Sequence, residues 1–173
     1  TLSAGISLWM MVFQKDKNIL VVATKQDTAK NLVTKVKFMY DNLPSWLQIG
    51  FVEKNKLALR LKNGSQIKAV SAASDAGRSE AISLLIIDEA AFIEENRIED
   101  IWASSQQTLS TGGRAIVLST PNGTGNFFHR MWVKAQENQN GFVPIRLPWT
   151  VHPERNQAWR NQQDAELGGR MAA

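Results

Sequence analysis

The sequence contains no cysteine. A disulfide scaffold and a cysteine-based zinc site are therefore excluded, and the composition fits a reducing compartment. Histidine is nearly as scarce, and His129 and His152 alone cannot build a His-rich metal centre. No apolar run approaches the roughly 18 residues of a membrane-spanning helix, so no membrane partner is expected. No glycine is followed by lysine, so the phosphate-cradling loop G-x-x-x-x-G-K-[ST] is missing from these residues. Charged residues make up only 21%, which argues against a disordered chain or a coiled coil. What is present is 43% hydrophobic residues over a length of 173, enough for the core of about one globular domain.

Charge is unevenly placed. Residues 1–87 hold 12 Lys/Arg against 6 Asp/Glu, and residues 88–173 hold 8 against 10. The basic half is compatible with a polyanion partner, and equally with a solvated lysine-rich surface.

Leu2, Ile6, Trp9, Met10 and Phe13 recur at helical spacing and predict a buried helix at the start of the chain. It has neither a basic leader nor a cleavage pattern, so it does not read as a signal peptide. A chain that opens inside such a helix, and stops after Glu166 without a structural ending, is expected to be a fragment. Ile19–Ala23 reads as a strand covered on both faces. Asp27-Thr28 can cap a following helix whose inner face carries Ala29, Leu32, Val33, Val36, Met39 and Tyr40. Leu57–Lys62 alternates with period two, Asn63-Gly64 follows, and Ser65–Val70 resumes a strand-like run, the pattern of a hairpin. Buried strands are expected again at Leu84–Ile87 and Ala115–Leu118, with helices around Ile98–Trp102 and from Asn126, a break at Gly112-Gly113 and a last strand at Phe142–Leu147. Helices alternating with buried strands predict an α/β fold on a mostly parallel sheet. Three strands end in polar turns, Thr24-Lys25-Gln26, Asp88-Glu89 and Ser119-Thr120, on the edge where open α/β sheets bind ligands.

Two segments carry chemistry. In Leu84–Ala90 a buried strand delivers two adjacent carboxylates, as a nucleoside-triphosphate-hydrolysing site requires. Asp88 would hold Mg²⁺, and Glu89 would polarise the water that attacks the γ-phosphate. Neighbouring strand residues point to opposite sides, so the turn after Asp88 must aim Glu89 into the site. The plain alternative is a solvated acidic turn. In Val117–Gly123 a second strand delivers Ser119, Thr120 and Asn122 to the same edge, where hydroxyls and an amide can bond a γ-phosphate or its attacking water; the plain alternative is a capped Pro-Asn-Gly turn. Trp9, Trp102 and Trp132 sit on apolar faces and are expected in the core, and His129 reads as structural. His152-Pro153-Glu154-Arg155 reads as a loop or helix start rather than a metal-ligand string.

The order and spacing of several stretches resemble the ATPase domain of the large terminase subunit, the DNA-packaging motor of tailed bacteriophages. These are Asn18–Gln26, Asp41–Pro44 with Trp46-Leu47, Asn63–Ser65, Ser74–Arg78, Leu84–Phe92, Ser119–Gly123 with Phe127-Phe128, and Pro148-Trp149. The resemblance implies a P-loop NTPase of the RecA/ASCE-like class with flanking helices and a β-hairpin insertion. Asp88 and Glu89 would be the Walker B pair, and Ser119, Thr120 and Pro121 the motif coupling hydrolysis to movement. Arg78 would reach a neighbouring subunit's phosphates, although Ser79 stands where the family often has glycine. An exposed loop arginine with no partner is the plain alternative there. The Walker A loop would precede Thr1 and a nuclease domain would follow Ala173. Residues 1–149 would then be the ATPase core and 150–173 the start of a lid or linker, with this fragment alone inactive. ATP and Mg²⁺ are the implied ligands. The implied partners are double-stranded DNA, the portal protein of the procapsid, the small terminase subunit and further copies in a ring, all in the host cytoplasm. A helicase-like ATPase, or a degenerate non-catalytic DNA-binding fragment of the same fold, are the alternatives.

Overall fold

A computed structural model describes residues 1–72, 81–109 and 112–167. In chain order the elements are α1 (Leu2–Phe13), β1 (Asn18–Ala23), α2 (Gln26–Asp41), β2 (Phe51–Lys54), β3 (Ala58–Leu61), β4 (Gln66–Ser71), β5 (Leu84–Ile87), α3 (Glu95–Leu109), β6 (Arg114–Val117), α4 (Phe127–Gln136) and α5 (Gln157–Leu167). The chain forms two units, Thr1–His129 and Arg130–Ala173.

The first unit is an α/β layer structure. Its sheet runs β2-β3-β4-β1-β5-β6. β4, β1, β5 and β6 are parallel, and β3 and β2 extend the sheet antiparallel. The centre of the sheet is the most apolar part: all four residues of β5 are buried, as are Val21, Val22 and Ala23 of β1. α1 and α2 contribute to the core on one face, where Met11, Val33 and Val36 join Ile19, Val21, Leu59, Ile67 and Ile86. Burying side chains of this size contributes about 1.5–3 kcal/mol each, and this cluster outweighs any single polar contact in holding the sheet.

The expected hairpin forms, and it is part of the main sheet: β4, its second strand, lies directly beside β1. The Gly64 N–H donates to Leu61 O, and the Leu61 N–H donates to Ser65 O. Gly64 closes this loop at φ +85, a left-handed geometry that a side chain resists. A Cβ there would also run into the Asp16 carboxylate.

Several expectations are corrected. In α1 the buried positions are Ser3, Ala4, Ser7, Leu8, Met10 and Met11, while Leu2, Trp9 and Phe13 are more than half exposed. The helix is apolar around nearly its whole circumference, so spacing could not choose a face. The buried face instead carries the small residues Ser3, Ala4 and Ser7 beside Leu8, Met10 and Met11. The Ser7 hydroxyl is satisfied within the helix on Ser3 O at 2.8 Å. Trp9 is therefore exposed in this chain, and Trp102 and Trp132 are half-buried rather than core. At α2 the N-cap residue is Lys25 and no side chain caps the helix. Asp27 lies instead in the first turn, where its charge complements the helix dipole.

β2 was not expected. It is held by Tyr40, whose hydroxyl donates to Ile49 O and whose ring packs on Phe51 at 4.4 Å. β6 is half-buried rather than buried, as suits a strand at the edge of the described sheet. Phe142–Leu147 forms no strand, and Val143, Ile145 and Leu147 stand exposed. In the second unit the Trp149 and Trp159 rings meet at 5.9 Å, the Arg155 guanidinium lies 4.8 Å from the centre of the Trp159 ring, and Arg160 pairs with Asp164 at 3.0 Å. The His152 Nδ1 accepts the Glu154 N–H in a turn, the loop role expected of it.

Candidate nucleotide site

Strand register brings three carboxyl ends level. Val22 of β1 pairs with Ile87 of β5, and Ile87 pairs with Val117 of β6. Residues just past these positions, Thr24, Asp88-Glu89 and Leu118-Ser119, therefore share one edge of the sheet. Backbone bonds continue the ladder there: the Asp88 N–H donates to Val22 O at 2.8 Å and the Leu118 N–H to Ile87 O at 3.0 Å.

The strand then breaks sharply. Glu89 has φ 54 and ψ 40, in the left-handed region. A non-glycine residue held there costs of order 1–3 kcal/mol and persists only where its surroundings impose it. Here they do. The Glu89 N–H bonds back to Asp88 Oδ1 at 3.0 Å, and the next N–H, of Ala90, donates to Leu118 O at 3.1 Å. This is the turn that the sequence required to place neighbouring carboxylates at one edge. The Thr24 hydroxyl donates to Glu89 Oε2 at 3.3 Å, tying that carboxylate to the end of β1.

The second polar segment is stitched to the first. The Ala91 N–H donates to Ser119 Oγ at 3.1 Å, and Asn122 Nδ2 donates to Ala91 O at 3.0 Å. Ser119 and Asn122 thus grip the short turn that follows Glu89, while Thr120 is exposed. Asn126 bonds Asn122 O through Nδ2 and caps α4 by accepting the His129 N–H. The His129 Nδ1 accepts the Gly125 N–H at 3.3 Å, a structural role. The Glu95 carboxylate accepts the Phe127 N–H at 3.0 Å, and the Phe127 ring meets Trp102 edge-on at 6.0 Å. Arg78 lies outside the described residues.

Asp88 is half-buried and Glu89 exposed. Burial raises the Asp88 pKa above its ordinary 3.8; the Glu89 N–H opposes the rise, the Glu89 charge adds to it, and Lys35 opposes it further. A carboxyl with a raised folded-state pKa stabilises the fold most below its unfolded value. That contribution is lost as pH rises through the raised value, so ionised Asp88 is a net cost at neutral pH. Asp88→Asn should therefore raise the melting temperature of the nucleotide-free protein at pH 7. Thermal melts at pH 7 check this, and a lowered melting temperature would contradict it.

Among the described residues no group of three or more His, Cys, Asp or Glu could hold a metal. One half-buried carboxylate is nonetheless the donor set that suits Mg²⁺, which keeps several waters and shares its remaining sites with substrate phosphates.

Sequence reading placed Thr24 only in a polar turn. The parallel register of β1 and β5 is what puts it beside Glu89. Thr24→Val keeps the shape and removes the donor. A hydrogen bond to a charged group is worth about 1.5–3 kcal/mol, so loss of this orientation should lower kcat about tenfold with KM changed by less than about twofold. Steady-state kinetics of the full-length protein would read it, and an unchanged kcat would remove Thr24 from the site.

A sequence profile described as terminase large subunit, T4likevirus-type, N-terminal, matches residues 1–168. The chain belongs to this terminase family. Solved terminases share its fold. The HK97 bacteriophage large terminase superposes with a TM-score of 0.70 over 99% of this chain at 19% identity. The ATPase domain of the Thermus phage P74-26 large terminase gives 0.67 over 97% at 21% identity, with 79% of that domain covered. The large terminase of a thermophilic bacteriophage, in complex with ATP-γ-S, gives 0.67 over 94% at 12% identity. The chain spans 37% of the HK97 terminase and 39% of the thermophilic one. The α/β fold with a mostly parallel sheet, expected from the sequence, is thus the fold of these solved terminases.

Proposed function

We propose that the intact large subunit is an ATP-driven motor that moves double-stranded DNA into a procapsid. One observation carries this reading. The left-handed turn at Glu89 sets two carboxylates side by side at the carboxyl edge of the sheet, and hydrogen bonds join that turn to Ser119 and Asn122. Family membership supports it, as do the ATP-γ-S and ADP complexes of a terminase with the same fold.

Asp88 would hold Mg²⁺ in this reading, and the ion, when bound, would supply charge neutralisation for the triphosphate. Glu89, exposed and oriented by Thr24, accepts the proton of the attacking water. Ser119 and Asn122 act through the Ala91 backbone, so a change at the γ-phosphate that moves the Glu89 turn also moves the segment ahead of α4. Thr120 is the hydroxyl left facing the phosphates. Arg78 reaches the phosphates of a neighbouring subunit in a ring. Residues 1–149 serve as the ATPase core and 150–173 as the start of a lid or linker. The partners are the portal protein, the small terminase subunit and DNA, in the host cytoplasm. No helix among the described residues is long and apolar enough to cross a membrane.

The test separates a packaging motor from a helicase-like ATPase. Full-length protein, Mg²⁺-ATP and a partial duplex with a labelled strand should give hydrolysis and movement along duplex DNA without strand displacement. Efficient strand displacement would overturn the packaging reading.

A further inference from the structure

The C-terminal end of α1 has an unusual anchor. A helix leaves its last four carbonyls without intrahelical partners, and these are commonly satisfied by a glycine-based cap. α1 instead runs into Gln14 in an extended conformation, with no basic residue in its last turn. Its carbonyls are taken by the hairpin tip about fifty residues on. Asn63 Nδ2 donates to Met11 O at 2.8 Å and to Gln14 O at 3.1 Å, and Ser65 Oγ donates to Gln14 O at 3.0 Å. The network is closed on itself: Asn63 Oδ1 accepts the Ser65 N–H, Ser65 Oγ accepts the Lys17 N–H, and Asn63 O accepts the Asp16 N–H. Ser65 is fully buried.

The other end of α1 is held differently. Its buried residues there are Ser3, Ala4 and Ser7, which offer little apolar area and no large side chain to lock into a groove. The larger anchors, Leu8, Met10 and Met11, lie toward the C-terminal end. The clasp at that end therefore helps to set where the helix lies. Four residues link α1 to β1, so the helix must run back along the sheet, and its start lies toward the carboxyl edge that carries Asp88.

We propose that Asn63 and Ser65 are positioning residues of the nucleotide site. By clamping the C-terminal end of α1 they set where its N-terminal end, about 18 Å away, meets the phosphates. The inference rests on the reading above that a triphosphate binds at this edge. A shift of that end acts on bound substrate and transition state alike, so it weakens binding more than turnover.

The test uses the full-length protein with Asn63→Asp, which keeps the shape but removes both donors, and Ser65→Ala, which removes the third. Ile98→Val, a mild truncation in α3 away from the clasp, controls for general destabilisation. Three quantities are measured: hydrogen exchange of the α1 amides without nucleotide, ADP affinity by titration, and KM and kcat for ATP. Both clasp variants should exchange faster across α1, bind ADP about five- to tenfold more weakly and raise KM to match, with kcat within about twofold. Ile98→Val should leave α1 exchange and ADP affinity unchanged. Unchanged ADP affinity in the clasp variants would overturn the proposal, as would an equal loss in Ile98→Val. If Asn63→Asp fails to fold, Ser65→Ala decides. Wild-type protein that binds no ADP would overturn the nucleotide reading itself, and faster α1 exchange in the variants would then make the clasp purely structural.

Discussion

Glu89→Gln in the full-length protein should cut ATP turnover by about 10²–10⁴-fold, the usual cost of losing a general base, while leaving nucleotide affinity nearly intact. The amide keeps the shape of the side chain and can still accept from the Thr24 hydroxyl, so the 3.3 Å contact survives. What it cannot do is take a proton from water. The strained backbone at Glu89 belongs to the turn and does not depend on the carboxylate, so the fold should tolerate the change. Asp88→Asn should differ in kind, weakening Mg²⁺-dependent binding of nucleotide. Single-turnover rates and nucleotide titrations on both variants separate the roles. If Glu89→Gln lowered affinity and spared the rate constant, the two roles would be reversed.

Arg78→Ala should lower turnover by about 10³–10⁵-fold if its guanidinium meets a transferring γ-phosphoryl group, the range for arginine fingers. A surface arginine pairing with Asp75 or Glu80 would contribute at most about 1 kcal/mol to stability and leave turnover alone. The readings differ in size and in kind, and mixing separates cis from trans action. Inactive Arg78→Ala subunits combined with inactive Glu89→Gln subunits should regain activity, because some interfaces then carry one intact arginine and one intact glutamate. No recovery in mixed rings shown to assemble would argue against action in trans. Full activity of Arg78→Ala alone would exclude the residue from the mechanism.

The site was legible where chemistry and strand pattern coincide. Leu84–Ile87 could only be a covered strand, and two carboxylates at its end could share an edge only through a sharp turn, which the structure supplies at Glu89. Pairings across the sheet were not legible. Nothing local tells Thr24 that Glu89 is its neighbour, since the two are joined by the parallel register of β1 and β5. Nor does Asn63-Gly64 announce more than a hairpin, although Asn63 also caps a helix about fifty residues earlier. Nor does the sequence show that Ser119 and Asn122 also bond the Ala91 backbone.

The fold shows the same division. Periodicity marks α1 but not its buried face, because a helix that is apolar nearly all round offers no contrast; the buried face carries Ser3, Ala4 and Ser7. β2 escaped notice because only Phe51 of its four residues is even half-buried, so it lacks a strand's apolar alternation. Phe142–Leu147 has that alternation, but among the described residues it pairs with no strand, and its Val143, Ile145 and Leu147 side chains are exposed.

The most direct measurement is an experimental structure of the full-length protein with Mg²⁺ and a non-hydrolysable ATP analogue. The triphosphate is expected at the carboxyl edge of β1, β5 and β6, with Mg²⁺ on the Asp88 side, directly or through water, and the Glu89 carboxylate facing the water in line with the γ-phosphate. Nucleotide bound elsewhere, or bound there with Asp88 and Glu89 both turned away from the phosphates, would contradict this.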